Sequence, residues 1–247
     1  KIVEEFVKNG CTETIRNFQN APDVFKIYET VKKDTVDINS ITAQKAGKGN
    51  EIIKKYMPHL VEVEDHEGHS ILKAWTSENI QKILEKSIET KNCTVKSYIS
   101  EILKGLKYSP VTIYSPLMTK RLLEHLDCRT VFDPCVGWGG RMLGTAMVGG
   151  EYTGCEPFTK TFHGLNQMKS DLNLSNITLF CEPVEDVLER LSDKEYEMCL
   201  TSPPYYDLEV YSKEDTQSTS RYPTYEDWVQ NFLKPIIDYV CSHVTKF

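Results

Sequence analysis

"TVFDPCVGWGGRMLG", residues 130–144, starts as a short apolar run, passes through an Asp-Pro step and a glycine cluster, and continues as a helix-forming segment. That is the order strand, tight turn, helix. The rhythm repeats on either side of the next turns. "EYTGCEP" (151–157) reads as a second strand and "TKTFHGLNQMKSDLNL" (159–174) as the helix after it. "ITLFCE" (177–182) and "EMCLTS" (197–202) read as third and fourth strands, with "PVEDVLERL" (183–191) as a helix between them. Short apolar strands alternating with helices imply a parallel sheet covered on both faces, so the expected class is α/β, with a doubly wound sheet.

In open α/β sheets, ligands sit beyond the carboxyl ends of the strands, near the point where strand order reverses. The residues there are DPCVGWGG, CEP, CEP again and SPPYY. In the first of these, Gly137, Gly139 and Gly140 allow a tight turn and close approach of a ligand to the backbone. The spacing is not GxGxxG and no GK[ST] follows, so neither the dinucleotide fingerprint nor a P-loop is present. Asp133, Glu156 and Glu182 end the first three strands on one edge. An acid after the second strand of such a fold is placed to accept from ribose hydroxyls. Three carboxylates without a basic phosphate clamp suit an unphosphorylated, positively charged ligand, a description that S-adenosylmethionine meets. The competing reading is that these acids cap the helices that follow them.

"TSPPYY" (201–206) closes the fourth strand. Proline donates no ladder hydrogen bond and pushes the residue before it into an extended conformation, so a rigid, non-helical turn is expected. Such a turn can present Ser202 Oγ and a backbone carbonyl together, with Tyr205 offering a flat ring beside them. An exocyclic base amine has its lone pair delocalised into the ring. Two acceptors gripping its N–H bonds would favour a pyramidal nitrogen, and a base held on an aromatic ring outside the duplex is the geometry of base flipping.

With SPPY after the fourth strand and DPCVGWGG after the first, the chain resembles the S-adenosylmethionine-dependent amino-methyltransferases that act on N4 of cytosine or N6 of adenine in DNA. The resemblance covers residues 110–210 and implies a Rossmann-like methyltransferase sheet. It places Asp133, Pro134, Gly137 and Gly139 at the methionine part of the cofactor, Glu156 at the ribose and Glu182 by the adenine. Ser202, Pro203, Pro204 and Tyr205 become the catalytic tetrapeptide. A proline-containing segment before the first strand often contacts the cofactor in this family. "IYSPLMTKRLLEHL" fits that position, with Ser115 as N-cap and Pro116 as first helical residue. Serine at the head of the tetrapeptide favours N4 of cytosine over N6 of adenine. A complete sheet of this class has seven strands and four are legible before Phe247, so further chain or a partner chain is expected to complete it. Alternatives retained are a methyltransferase acting on RNA or a protein amide, and a catalytically silent nucleic-acid-binding scaffold.

Residues 1–108 read as a mainly helical region, a candidate DNA-recognition or partner module, ahead of the methyltransferase domain at 109–247. "NIQKILEKSIE" and "VKSYISEILKGL" have helical spacing, whereas "HLVEVEDHEGHSILKAW" (59–75) alternates about a HEG turn and predicts a hairpin. His59, His66 and His69 match no zinc spacing and read as a solvated turn; the lysines of "KAGKGNEIIKK" read as a solvated loop and helix face. The polar run 206–223 reads as a surface loop, alternatively as a lid over an extruded base. Trp138 is either a core ring or a pocket wall. A 26% charged, 40% hydrophobic composition is that of a globular protein. The net charge of -7 argues against non-specific coating of nucleic acid, and residues 111–247 carry the whole of the acidic excess. Eight cysteines without a CxxC pair read as buried thiols. No membrane span or signal peptide is legible, so an intracellular setting is expected, and the start at Lys1 suggests a trimmed chain.

Overall fold

The computed structural model describes residues 1–18, 23–41, 47–65, 67–89 and 112–246. The elements in chain order are α1 (Ile2–Phe18), α2 (Val24–Lys32), α3 (Asn50–Tyr56), β1 (Glu64–Asp65), α4 (Ile71–Ala74), α5 (Ser77–Glu89) and α6 (Pro116–Leu126). Then come β2 (Thr130–Asp133), α7 (Gly140–Met147), β3 (Glu151–Cys155), α8 (Thr159–Asp171), β4 (Ile177–Phe180), β5 (Met198–Cys199) and β6 (Glu209–Val210). The C-terminal part holds α9 (Ser218–Arg221), α10 (Tyr225–Trp228) and α11 (Lys234–His243). The described residues form two compact units. One comprises Lys1–Pro22, Pro58–Thr112 and Leu208–Tyr211; the other comprises Asp23–Met57, Ile113–Asp207 and Ser212–Phe247.

The second unit is α/β. Its four strands are all parallel, in the order β4-β3-β2-β5, so the chain steps outward on one side from β2 to β4 and then crosses to the other side of β2 for β5. Phe132 is paired with Cys199 and Asp133 with Gly154, which aligns the strand ends. The ladder continues past β5: Tyr196 bridges Val244 in parallel, and the amides of Thr245 and Lys246 donate to the carbonyls of Tyr196 and Glu197 at 3.0 Å each. One buried cluster joins Phe132, Cys155, Val184, Val187, Leu191 and Tyr196 to Trp228, Phe232, Ile236 and Tyr239 of the C-terminal helices. Phe132 stacks on Tyr196 with ring centroids 5.2 Å apart and meets Tyr239 at 5.1 Å.

The expected helix at residues 183–191 takes another form: it is two 3₁₀ turns, Val184–Asp186 and Leu188–Leu191. At the C-terminal side, α10 leads into α11 through a π turn at Val229–Leu233, just before Pro235. Proline has no amide to donate to the turn before it, and its ring crowds the carbonyl four residues back; a wider turn accommodates both. Residues 23–57, read above as part of the N-terminal region, belong to the sheet unit. They bury Val24, Tyr28, Val31, Ile52, Ile53 and Tyr56, the Tyr56 hydroxyl donates to Asp171 at 2.8 Å, and Lys120 Nζ donates to the Asp34 carbonyl at 2.6 Å.

In the first unit, Phe6, Cys11, Val61, Ile71, Ile80 and Leu84 form a small core, with Trp75 Nε1 donating to the Phe6 carbonyl at 3.1 Å. The expected 59–75 hairpin does not form. β1 pairs antiparallel with β6, because Ser70 caps α4 and turns the would-be second arm into a helix. His59 is buried in a 3₁₀ turn while His69 is exposed against Asp65 at 3.1 Å, and His66 lies outside the described residues, as do residues 90–111 with the segment VKSYISEILKGL. No metal-ligating cluster and no disulfide occurs among the described residues, and none of the described helices is long and apolar enough to cross a membrane.

Removing the ring at the centre of the sheet face should be costly. Phe132→Ala is expected to lower stability by about 3–5 kcal/mol in urea unfolding. A loss under about 1 kcal/mol would mean that the cluster repacks around the cavity.

Candidate functional site at the carboxyl edge of the sheet

Three hydrogen bonds register the strand ends beyond the formal ladders. Leu200 N donates to the Phe132 carbonyl at 3.1 Å, Val136 N to the Cys155 carbonyl at 3.0 Å, and Glu156 N to the Phe180 carbonyl at 2.9 Å. They bring the Ser202 turn, the glycine turn, Glu156 and Glu182 to one edge. With strands about 4.8 Å apart, that edge spans about 14 Å from the β4 end to the β5 end. The glycine turn and the Ser-Pro-Pro-Tyr turn follow β2 and β5, the two neighbours between which strand order reverses.

The glycine turn is braced from inside. Asp133 is fully buried, and both its oxygens are engaged by the chain. Arg141 Nε donates to Oδ2 at 2.7 Å and Nη2 to Oδ1 at 3.4 Å; the Tyr152 hydroxyl donates to Oδ2 and Cys135 N to Oδ1 at 3.2 Å. Arg141 Nη2 also donates to the carbonyls of Cys135 and Val136. Burial is the largest single effect on the guanidinium and depresses its pKa, but the Asp133 charge, the Tyr152 oxygen and the hydrogen bond to Asp133 together outweigh it and raise the pKa, so Arg141 stays charged. Burial and then Asp133 push the Tyr152 phenol well above its ordinary value, which keeps it a donor. Asp133 therefore acts on the turn's shape, with no oxygen turned outward. Arg141 and Tyr152 were not singled out from sequence; an arginine in the first turn of the helix after the glycines is the signal that marks them.

Gly137 and Gly139 hold left-handed backbone, φ 56° and 87°. A Cβ at Gly137 would meet no heavy atom within 4 Å, so the space over the turn is open. At Gly140 the same atom would fall 1.8 Å from the Tyr114 carbonyl, and only glycine lets this backbone pass so close. That approach carries the Ser115-Pro116 segment to the site. Ser115 Oγ caps α6 by accepting from Met118 N at 3.1 Å, and Pro116 is at the first turn, as the sequence predicts. Pro134 is buried, and so is Trp138.

Glu156 is the other buried acid. Its Oε2 accepts from Gly137 N and its Oε1 from Phe158 N, each at 2.9 Å, so it ties the glycine turn to the start of α8. Burial pushes its carboxyl up to about 8, against the lowering effect of those two amides. Glu182 is half-exposed and pairs with Arg190 at 2.7 Å.

On the β5 side, Ser202 is exposed, Pro203 and Pro204 are half-buried, and the Tyr205 ring is 66% exposed. Thr201 Oγ1 is buried with no hydrogen-bond partner. Tyr206 does the opposite of its neighbour. It takes a left-handed φ of 53°, a strain of about 1–3 kcal/mol in a non-glycine residue, and compensates by donating its hydroxyl to the Pro223 carbonyl and packing edge-on to Tyr225 and Trp228. One tyrosine anchors the turn and the other is left free. Tyr225, also missed from sequence, stacks one ring face on buried Trp228 and is itself 58% exposed.

The polar run after the tetrapeptide is not a loose loop in its second half. Glu214 Oε2 accepts from Thr159 N and Oγ1 at 3.1 and 3.0 Å, Thr216 Oγ1 donates to the Pro157 carbonyl at 3.3 Å, and Arg221 forms a two-pronged pair with Asp186 at 2.6 and 2.9 Å. No family model, no curated protein and no solved structure matches the chain.

A buried acid whose folded pKa lies above its unfolded value near 4.5 stabilises the fold fully below the unfolded value and loses that contribution as pH rises through the folded one. Stability should therefore fall between pH 4.5 and 8, and Glu156→Gln should flatten this part of the profile when unfolding free energy is followed against pH. An equal slope in both proteins would assign the titration to other groups.

Proposed function

We propose that the chain is an S-adenosylmethionine-dependent amino-methyltransferase of Rossmann-like fold, transferring a methyl group to the exocyclic amine of a base in DNA, with N4 of cytosine favoured over N6 of adenine. The observation that carries this reading is the pairing of β2 with β5 at the reversal of strand order. It puts an open glycine turn and an exposed Ser-Pro-Pro-Tyr turn on adjacent strand ends, so a ligand on one lies within reach of a group held by the other.

The residues fit the cofactor. The open left-handed Gly137 leaves room for close approach of a ligand to the backbone. Each Glu156 oxygen accepts one backbone N–H and keeps lone-pair capacity for ribose hydroxyls. An edge of about 14 Å suits an extended ligand with a planar base at the β4 end, by Glu182, and its reactive centre near β2 and β5. Ser115 and Pro116 hold the start of α6 beside the turn, while Asp133 and Pro134 shape it from within. When bound, S-adenosylmethionine supplies an electrophilic methyl group on a sulfonium centre.

On the substrate side, Ser202 Oγ and the Pro203 carbonyl accept hydrogen bonds from the target amine and favour a pyramidal nitrogen. Pro204 keeps the turn extended, and Tyr205, free of the aromatic cluster that holds Tyr206, stacks on the extruded base. The amine so held would form its N–C bond to the methyl carbon as the C–S bond to the sulfonium breaks, S-adenosylhomocysteine leaving as a neutral thioether and the surplus amine proton passing to solvent; the chain's part is positioning and polarisation.

Incubation with S-adenosylmethionine and unmethylated DNA, digestion to nucleosides and mass spectrometry should reveal N4-methylcytosine first and N6-methyladenine second. Ser202→Ala should lower turnover about 100-fold with cofactor affinity retained. Normal turnover in that variant, or neither modified nucleoside from a chain that binds the cofactor, would overturn the assignment.

A further inference from the structure

Three of the fastenings of residues 212–224 adjoin the carboxylates assigned above to the adenosine end of the cofactor. Glu214 sits on the first amide of α8, three residues past Glu156, and supplies an anion to a helix whose own N-cap, Phe158, provides no side-chain hydrogen bond. Thr216 holds the carbonyl of Pro157, the residue next to Glu156. Arg221 grips Asp186, four residues past Glu182, and lies 3.2 Å from Glu185, whose carboxylate is buried. The far end is also tied down: Trp228 Nε1 donates to Ser218 Oγ at 3.1 Å, and Tyr206 reaches Pro223. The segment thus runs as a strap past the β3 and β4 corners and back to the anchor of the tetrapeptide turn.

We infer that Glu214 and Arg221 are positioning residues that fasten this strap as the outer wall of the adenosine half of the pocket, so that cofactor exchange requires the strap to release. The inference rests on the cofactor reading above. Neither side chain touches the reacting atoms. The strap's two clamps are two-pronged or helix-capping, which makes them geometrically specific. Both lie at the surface, so each is weak enough to open on the way to ligand release.

Calorimetry and stopped-flow measurement of S-adenosylmethionine binding to the full chain test this. Arg221→Gln and Glu214→Gln should each weaken binding about tenfold, mostly through faster dissociation. Arg221→Lys should fall between, since lysine restores the charge but not the paired geometry. Thermal midpoints near that of the parent chain, with the loss confined to the dissociation rate, would separate a wall from a merely structural contact. If Arg221→Gln fails to fold, Arg221→Lys and Glu214→Gln carry the same test. Parent and variants binding with equal affinity and dissociation rate would overturn the strap alone. A parent chain that does not bind S-adenosylmethionine at all would overturn the cofactor reading and the strap with it.

Discussion

The buried pair of Asp133 and Arg141 is the interaction on which the carboxyl edge depends. A carboxylate with no solvent exposure at the end of β2 must be fully compensated, and it is, by a guanidinium, a phenol and an amide. The same guanidinium satisfies two carbonyls of the turn, so the path of residues 133–137 is fixed by hydrogen bonds made beneath it. A left-handed Gly137 is then held open on its outer side, and Glu156 locks the turn to the neighbouring strand. Truncating one member of such a pair leaves a buried charge unpaired, which is far costlier than losing a surface ion pair.

Two kinds of rigidity meet at the edge. On the β2 and β3 side it is electrostatic and buried. On the β5 side it is steric and aromatic, with two prolines excluding a helix and Tyr206 accepting left-handed strain to stay in the Trp228 cluster. The groups left over from this bracing are those turned to solvent: the Ser202 hydroxyl, the Tyr205 ring and the space over Gly137.

What could be read from sequence followed how local each feature is. The four strands were legible because each is a short apolar run between punctuating glycines or prolines, and the Ser115-Pro116 cap because its chemistry acts within one turn of helix. The β1–β6 pairing was not, since its partners lie far apart in the chain and each strand is two residues long. Nor was the recruitment of residues 23–57 to the sheet unit, which rests on contacts such as Tyr56 to Asp171. At the edge, the acids were found but their uses were not all foreseen. Asp133 turned out to be spent inside the turn, because the arginine that meets it comes from the next helix. The polar run after the tetrapeptide looked like a loop because its partners, Thr159 and Asp186, lie on other elements.

The cap of α8 has a consequence for the order of folding. The acceptor for the helix's first amide comes from a residue 55 positions later, after β4, β5 and β6 have been laid down. Closing that contact is a long-range event whose loop entropy must be met before it contributes anything. The cap of α8, at the corner that also carries Glu156, is therefore complete only when the later segment is in place. That corner of the carboxyl edge is thus completed by a segment later in the chain than the strands that support it.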